Sequence, residues 1–231
     1  MELDKITELS PSGAKRRYDD ACAATHGMDI IGERWALPVM RELMMGPRRF
    51  GELRRSLPAL SANVLTQRLE GLETAGIVEK RKLPSPASVQ VYALTPWGQE
   101  AGPVFQALGR WAARSPGHDP MRPFSPVSLM LSLRTMIDLS RTSDIAARIG
   151  FRIGEEDFLL TLDQGAIGIG RGLPENADLI FTGSTHAVAS AIYAGVALDD
   201  MLSDGALAID GDRSLADRFI TLFPMPKKVG G

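Results

Sequence analysis

The segment 49–94, RFGELRRSLPALSANVLTQRLEGLETAGIVEKRKLPSPASVQVYAL, decides the fold of the first half of the chain. Residues 49–57 and 61–75 each place apolar side chains three or four positions apart, which is the period of an amphipathic helix. Pro58 falls in the turn between the two predicted helices, and Ser61 is a good N-cap for the second. The segment therefore begins with a helix-turn-helix.

Two strand-like runs follow the second predicted helix. Residues 77–83 and 89–94 are rich in Ile, Val and Tyr, and the loop between them contains two prolines. This pattern predicts a β-hairpin. A helix-turn-helix followed at once by a hairpin is a winged helix-turn-helix.

The remainder of the chain has a different pattern. Three prolines and a glycine within nine residues mark a linker, and beyond it short apolar alternations predict strands that are interspersed with helices. We therefore predict an α+β protein in which a winged helix-turn-helix domain precedes a small α+β domain. The expected boundaries are an arm at 1–17, the first domain at 18–114, a linker at 115–126, the second domain at 127–224 and a tail at 225–231.

The two halves of the chain differ in net charge, and the absence of known motifs excludes several classes of protein. The first 114 residues carry a net charge of +3 and the remainder −5, which suggests different partners. One cysteine and three scattered histidines give no metal-ligand spacing, and no catalytic motif is present, so we expect no cofactor, no metal and no enzymatic activity. The acidic N-terminus lacks a signal peptide and no apolar run is long enough to span a membrane, so we expect a cytoplasmic protein.

Polar side chains on the second helix of the motif are suited to reading bases. The major groove admits one helix, and the side chains near its N-terminal end reach the base edges. The predicted base-reading residues are Ser61, Asn63, Thr66, Gln67 and Arg68. Cations around this helix suit phosphate contacts, which set affinity but carry no sequence information. The predicted phosphate contacts are Arg48, Arg49, Arg54, Arg55, Lys80, Arg81 and Lys82.

Several linked motifs resemble the HxlR-type winged-helix transcriptional regulators. The resemblance covers about residues 18–114. Its motifs are Asp29–Trp35, Arg41–Leu43, Gly46–Leu53, Ser61–Leu69 and Tyr92–Gly98. The family implies a homodimer that binds double-stranded DNA and pairs through the first and last helices of the module, here around Ala21–Met45 and Ala101–Ala113.

A cysteine near the start of the first helix is frequent in that family, and Cys22 matches it, although Ala23 replaces the proline that commonly follows. Some relatives sense oxidants at this place, which makes Cys22 a possible redox sensor. The alternative is a buried, inert thiol. With one cysteine in the chain, oxidation would give an intersubunit disulfide or a thiol adduct.

The second half resembles sterol-carrier-protein domains over roughly Val127–Pro224. The resemblance rests on the turns and apolar positions of Ala177–Thr185, Asp199–Asp212 and Leu215–Phe223. In that family a helix-covered sheet encloses an apolar tunnel that the last helix closes. This implies a possible cavity lining of Leu215, Phe219, Leu222 and Phe223, with ordinary core packing as the alternative.

The combined prediction is a homodimeric transcriptional regulator that reads a near-palindromic operator with the helix at 61–75 and the wing at 77–94. The acidic second domain either binds an apolar small-molecule effector or assists assembly. The alternative function is a hydrophobic-metabolite carrier whose winged-helix module mediates protein interaction.

Overall fold

The computed structural model describes residues 18–84, 88–172 and 176–230. The predicted arm at 1–17 and the centre of the proline-containing loop of the hairpin lie outside these residues. No helix within the described ranges combines the length and the apolar character that crossing a bilayer requires.

The first domain is a helical bundle that ends in a two-stranded wing. Two of its helices, α3 and α4, form the predicted helix-turn-helix, and the antiparallel strands β1 and β2 form the predicted hairpin. The elements are α1 (Ala23–Ile31), α2 (Ala36–Leu43), α3 (Phe50–Ser56), α4 (Ala62–Thr74), β1 (Val78–Lys82), β2 (Gln90–Leu94), α5 (Pro96–Glu100) and α6 (Gly102–Ala112).

The break between the first two helices lies before Pro38. α1 ends at Ile31, and Pro38 occupies the first turn of α2. A proline is tolerated there because the first amides of a helix have no intrahelical partner. The two helices are separated by a turn that ends at Trp35, whose φ of 79° lies in the left-handed region.

The core of the first domain is formed by one face each of α2, α3 and α4. Leu65, Leu69 and Leu72 of α4 are buried against Val39 and Leu53, as their spacing predicts. The turn between α3 and α4 also contributes buried leucines to this cluster. The opposite face of α4 is thereby held outward.

The second domain packs helices against a five-stranded sheet. The strand order is β5-β4-β3-β6-β7, in which β3 and β6 are parallel and all other neighbours are antiparallel. The elements are α7 (Pro126–Met136), β3 (Ala146–Ile153), β4 (Glu156–Asp163), β5 (Ala166–Arg171), β6 (Leu179–Gly183), α8 (Thr185–Tyr193), α9 (Leu198–Ser203), β7 (Leu207–Gly211) and α10 (Arg213–Phe219). The helix-covered sheet expected from the sequence is confirmed.

Aromatic side chains fill the space between the sheet and the last helix. Phe219 of α10 lies with its ring centroid 6.0 Å from that of Phe151 and 5.8 Å from that of Phe181, and Phe223 packs edge-on against it at 4.9 Å. Leu222 is buried in the same cluster. The amide of Asp138, just after α7, donates to the carbonyl of Leu222 at 2.8 Å, which joins the beginning of the domain to its end.

These contacts bear on the predicted cavity lining of Leu215, Phe219, Leu222 and Phe223. Three of the four are fully buried against core side chains, and Leu215 is partly buried against the same cluster. The structure therefore favours the core-packing alternative for this group.

Candidate nucleic-acid interface

The outward face of α4 is polar and accessible. Asn63, Thr66 and Gln67 are exposed, whereas Leu65 and Leu69 on the same helix are buried. The side chain of Ser61 caps the helix by accepting a hydrogen bond from the amide of Val64 at 3.4 Å. The first two turns of α4 thus present hydroxyl and amide groups that can reach base edges.

Arg68 differs from the other predicted base-reading residues. Its side chain is about one-fifth exposed, and its Nη1 lies 2.9 Å from a carboxylate oxygen of Glu33 in the loop before α2. A contact from Arg68 to a base requires that this carboxylate be exchanged for DNA. The arrangement holds Arg68 beside the helix rather than on its exposed face.

The remaining cations surround α4 on two sides. Arg54 and Arg55 of α3 line one open cleft together with Ser61, next to the start of α4. On the wing, Lys80 pairs with Glu73 at 2.8 Å, and the hydrogen bond that Lys80 donates to this carboxylate raises the pKa of Lys80. Arg81 pairs with Glu79 of its own strand. Arg49 and Lys82 are exposed at the start of α3 and the end of β1.

The structure corrects the prediction that Arg48 contacts a DNA phosphate. Its side chain is about one-tenth exposed, and its two terminal nitrogens donate to the two carboxylate oxygens of Glu156 at 3.1 and 3.0 Å. It also donates to the hydroxyl of Ser56 at 3.0 Å. Glu156 belongs to the second domain, so Arg48 joins the two domains and is withdrawn from the DNA face.

A second polar contact joins the domains close to α7. The carboxylate of Glu42 is fully buried and accepts hydrogen bonds from Ser125 at 2.6 Å and from Arg41 at 3.0 Å. Ser125 is also the N-cap of α7. Sequence reasoning missed this contact. The available signal was an acidic residue on the apolar stripe of a predicted helix, because a buried carboxylate requires partners.

Cys22 lies at the N-cap of α1 and is exposed. The backbone amides of the first turn of α1, chiefly that of Thr25, lower the pKa of the thiol, as the start of a helix does for an anion. The expectation of a buried thiol is therefore wrong, whereas the reactivity of Cys22 stays a prediction. The geometry provides an accessible thiol whose ionised form is favoured.

The first and last helices of the domain present apolar side chains to solvent. On α6, Val104, Leu108 and Trp111 recur at helical spacing and are 52%, 41% and 73% exposed. Met28 of α1 is also exposed. Large apolar side chains clustered on one surface indicate a protein–protein interface.

Residues 30–119 match the family model described as HxlR-like helix-turn-helix. A helix-turn-helix transcriptional regulator of Synechocystis sp. is 39% identical over 87 residues, which are 38% of this chain and 64% of that protein. The regulator YodB of Bacillus subtilis is 37% identical over 83 residues, which are 36% of this chain and 74% of YodB. The chain belongs to the HxlR-like helix-turn-helix family.

The HxlR-like region is followed by a second recognised domain. Residues 131–224 match the SCP-2 sterol transfer family. Among solved structures, the reduced form of YodB is 33% identical, with a TM-score of 0.39 over 42% of this chain and 98% of that one. The HxlR-like chain thus combines a winged helix-turn-helix with an SCP-2 domain.

Proposed function

We propose that this HxlR-like chain is a DNA-binding transcriptional regulator that acts as a homodimer on a near-palindromic operator. The observation that carries the proposal is the exposed polar face of α4, held outward by the buried leucines of the same helix and followed directly by a wing. In a dimer, the two copies of α4 enter successive major grooves about 34 Å apart.

Base recognition is assigned to the exposed polar residues of α4. Asn63 and Gln67 lie four positions apart on one face, and each can bond an adenine through two hydrogen bonds. Ser61 and Thr66 flank them. Arg68 joins the base-reading set once DNA displaces Glu33.

Phosphate contacts are assigned to six cations rather than the seven taken from the sequence, because Arg48 is engaged by Glu156. They are Arg49, Arg54, Arg55, Lys80, Arg81 and Lys82. A homodimer carries two such sets, so affinity should fall by more than the roughly 1000-fold that six phosphate contacts alone give between 50 and 200 mM salt.

Dimerisation is assigned to α1 and α6, whose exposed apolar residues need a partner surface. Cys22 at the start of α1 is assigned as a thiol sensor. Oxidation there would give an intersubunit disulfide or an adduct. The carrier alternative is not favoured, because the relatives of the first domain are transcriptional regulators.

Selection of genomic fragments by the full-length protein tests the proposal. Binding is measured at low and at high salt. We expect one fragment to stay bound in the presence of non-specific competitor DNA, and its affinity to fall steeply as salt is added. Gln67→Ala should lower the preference for the selected fragment by roughly 5- to 150-fold for each half-site, the value of one bidentate base contact. Gln99→Ala, which changes an exposed glutamine of α5, is the matched control and should leave the preference unchanged. Absence of any preferred fragment for a folded dimer would contradict the proposal.

A further inference from the structure

A cavity of about 400 Å³ lies between the two domains. One wall is α6 of the winged-helix domain, with Phe105 and Gly109, and the opposite wall is α7 of the SCP-2 domain, with Leu131 and Ser132. The volume is within the range of sites that hold small molecules. It is distinct from the aromatic core beneath α10, which supplies none of its lining.

Aromatic side chains from three parts of the chain meet in this cavity. Phe105 comes from α6, Phe124 from the linker and Tyr193 from the end of α8, and three methionines also line the cavity. Aromatic rings and thioethers both favour contact with a flat aromatic ring. The walls therefore suit a planar aromatic body.

Polar side chains also line the cavity. Tyr193 and Ser132 share a hydrogen bond of 2.8 Å, and burial raises the pKa of Tyr193 above its usual range, which keeps the phenol protonated as a donor or acceptor. Arg134 lines the same cavity, is partly buried and donates to the carbonyl of Ile169 at 2.8 Å.

The charge of Arg134 has no carboxylate partner within 4 Å among the described residues. The other cations at the cavity are already paired: Arg41 with buried Glu42, and Arg122 with Asp119 on the exposed rim at 3.8 Å. Burial lowers the pKa of Arg134, as expected for a partly desolvated cation without compensation. An anionic group on a ligand would supply the missing charge.

We propose that the cavity between α6 and α7 binds an aromatic carboxylic acid, with its rings among Phe105, Phe124 and Tyr193 and its carboxylate directed to Arg134. The ligand touches one face of α6, and the exposed apolar residues assigned to dimerisation lie along the same helix. We expect an occupant of the cavity to affect the dimer because α6 contributes both to the cavity wall and to the assigned dimer surface, provided that the ligand binds the two assembly states with different affinity. This last step rests on the proposed regulatory function.

Calorimetric titration of the full-length protein with 2-naphthoate tests the binding site. We expect saturable binding and at least tenfold weaker binding of 2-naphthalenemethanol, which has the same rings without the charge. Equal affinity for the acid and the alcohol would overturn the assignment of the carboxylate. Tighter binding of decanoate than of 2-naphthoate would overturn the aromatic class, and no binding of 2-naphthoate would overturn the proposal as a whole.

Substitutions at Arg134 locate the ligand. Arg134→Met should weaken 2-naphthoate at least tenfold, whereas Arg134→Lys, which keeps the charge, should weaken it less than about threefold. Arg152→Met removes an exposed arginine of β3 outside the cavity and should change nothing. Unchanged binding by Arg134→Met would refute the role of Arg134. Circular dichroism confirms that each variant is folded, and the acid–alcohol comparison on the unmodified protein does not depend on any variant.

Operator binding with and without saturating 2-naphthoate tests the coupling. We expect at least a threefold change in the affinity for the selected fragment. Unchanged affinity, with the cavity occupied, would overturn the coupling. A protein that binds 2-naphthoate but prefers no fragment would retain the site and refute the proposed regulatory function instead.

Discussion

At the scale of single residues, the start of the first helix influences the ionisation of Cys22. Cys22 is exposed at the N-terminus of α1, where the backbone amides of Thr25 and Ala24 lower the pKa of the thiol. A thiolate is the reactive form of cysteine, and lowering the pKa increases its fraction at neutral pH. The chemistry of this residue follows from the helix that it caps.

The pH dependence of alkylation measures this effect. The rate of reaction of Cys22 with iodoacetamide should reach half of its maximum at a lower pH than that of N-acetylcysteine. Thr25→Val removes the hydroxyl of Thr25 but keeps its amide, so only part of the difference should be lost. Coincident profiles for the protein and the free thiol would contradict the prediction.

A second residue-scale prediction concerns Glu156, which binds both Arg48 and Arg171. Burial opposes its ionisation, but the hydrogen bonds from the two arginines prevail and lower the pKa of this carboxyl. Glu156→Gln leaves two partly buried cations without an anion and should lower the free energy of unfolding by about 3 kcal/mol. Glu155→Gln, an exposed neighbour, is the control for urea denaturation.

The same carboxyl determines how the free energy of unfolding changes with pH. Its stabilising contribution is complete above the pKa of the unfolded chain, about 4.3, and is lost as the pH falls through the lower pKa of the folded state. Glu156→Gln should therefore show a weaker loss of stability in acid than the unmodified protein. An identical acid limb for the two proteins would contradict this account.

At the scale of elements, α6 has two different faces. One face lines the cavity against α7. The other face is exposed and carries Val104, Leu108 and Trp111. The exposed residues contribute little to the folding of one chain, because they remain in water. Their burial in a dimer would stabilise the assembly by removing their apolar surface from water.

Substitution on α6 separates assembly from folding. Leu108→Glu should raise the dimer dissociation constant by about 100-fold or more, because a carboxylate would be buried without a partner, while the monomer keeps its helical content. Sedimentation velocity measures the first effect and circular dichroism the second. Leu139→Glu changes another exposed leucine, outside α6, and should leave the dimer intact. A dimer unaffected by Leu108→Glu would place the interface elsewhere.

Most elements were predictable because their signal is local. The stripe of Leu65, Leu69 and Leu72 predicts α4, and the same stripe predicts which face of the helix is exposed. The contact of Arg48 with Glu156 was not predictable, because the partners are 108 residues apart and no local pattern records their meeting. For the same reason, the sequence did not reveal the cavity between α6 and α7.

At the scale of the whole molecule, polar contacts link two separate hydrophobic cores. Glu42 with Ser125 and Arg48 with Glu156 cross between the domains, and Met45 of the first domain packs into the core of the second. Separation of the domains would break these charge-assisted hydrogen bonds and expose the apolar surface of Met45 to water, and both changes are unfavourable. We therefore expect the two domains to unfold together.

Scanning calorimetry tests this cooperativity. The unmodified protein should give one transition, and a variant carrying both Arg48→Met and Ser125→Ala should give two. Arg152→Met combined with Ser203→Ala provides a control with the same types of change at positions outside the domain contacts. Two resolved transitions in the unmodified protein would show that the contacts do not couple the domains.

The parallel pairing of β3 with β6 and the hydrogen bond between Asp138 and Leu222 have a consequence for protein synthesis. The winged-helix core is complete in the chain by residue 94, whereas the second core requires side chains up to Phe223. At about 5–20 residues per second, translation of the intervening chain takes roughly 6–26 s. During this interval the nascent first domain is folded with Arg48 and Glu42 still unpaired across the domain boundary. Slow translation of this region would prolong exposure of the unfinished sheet to chaperones.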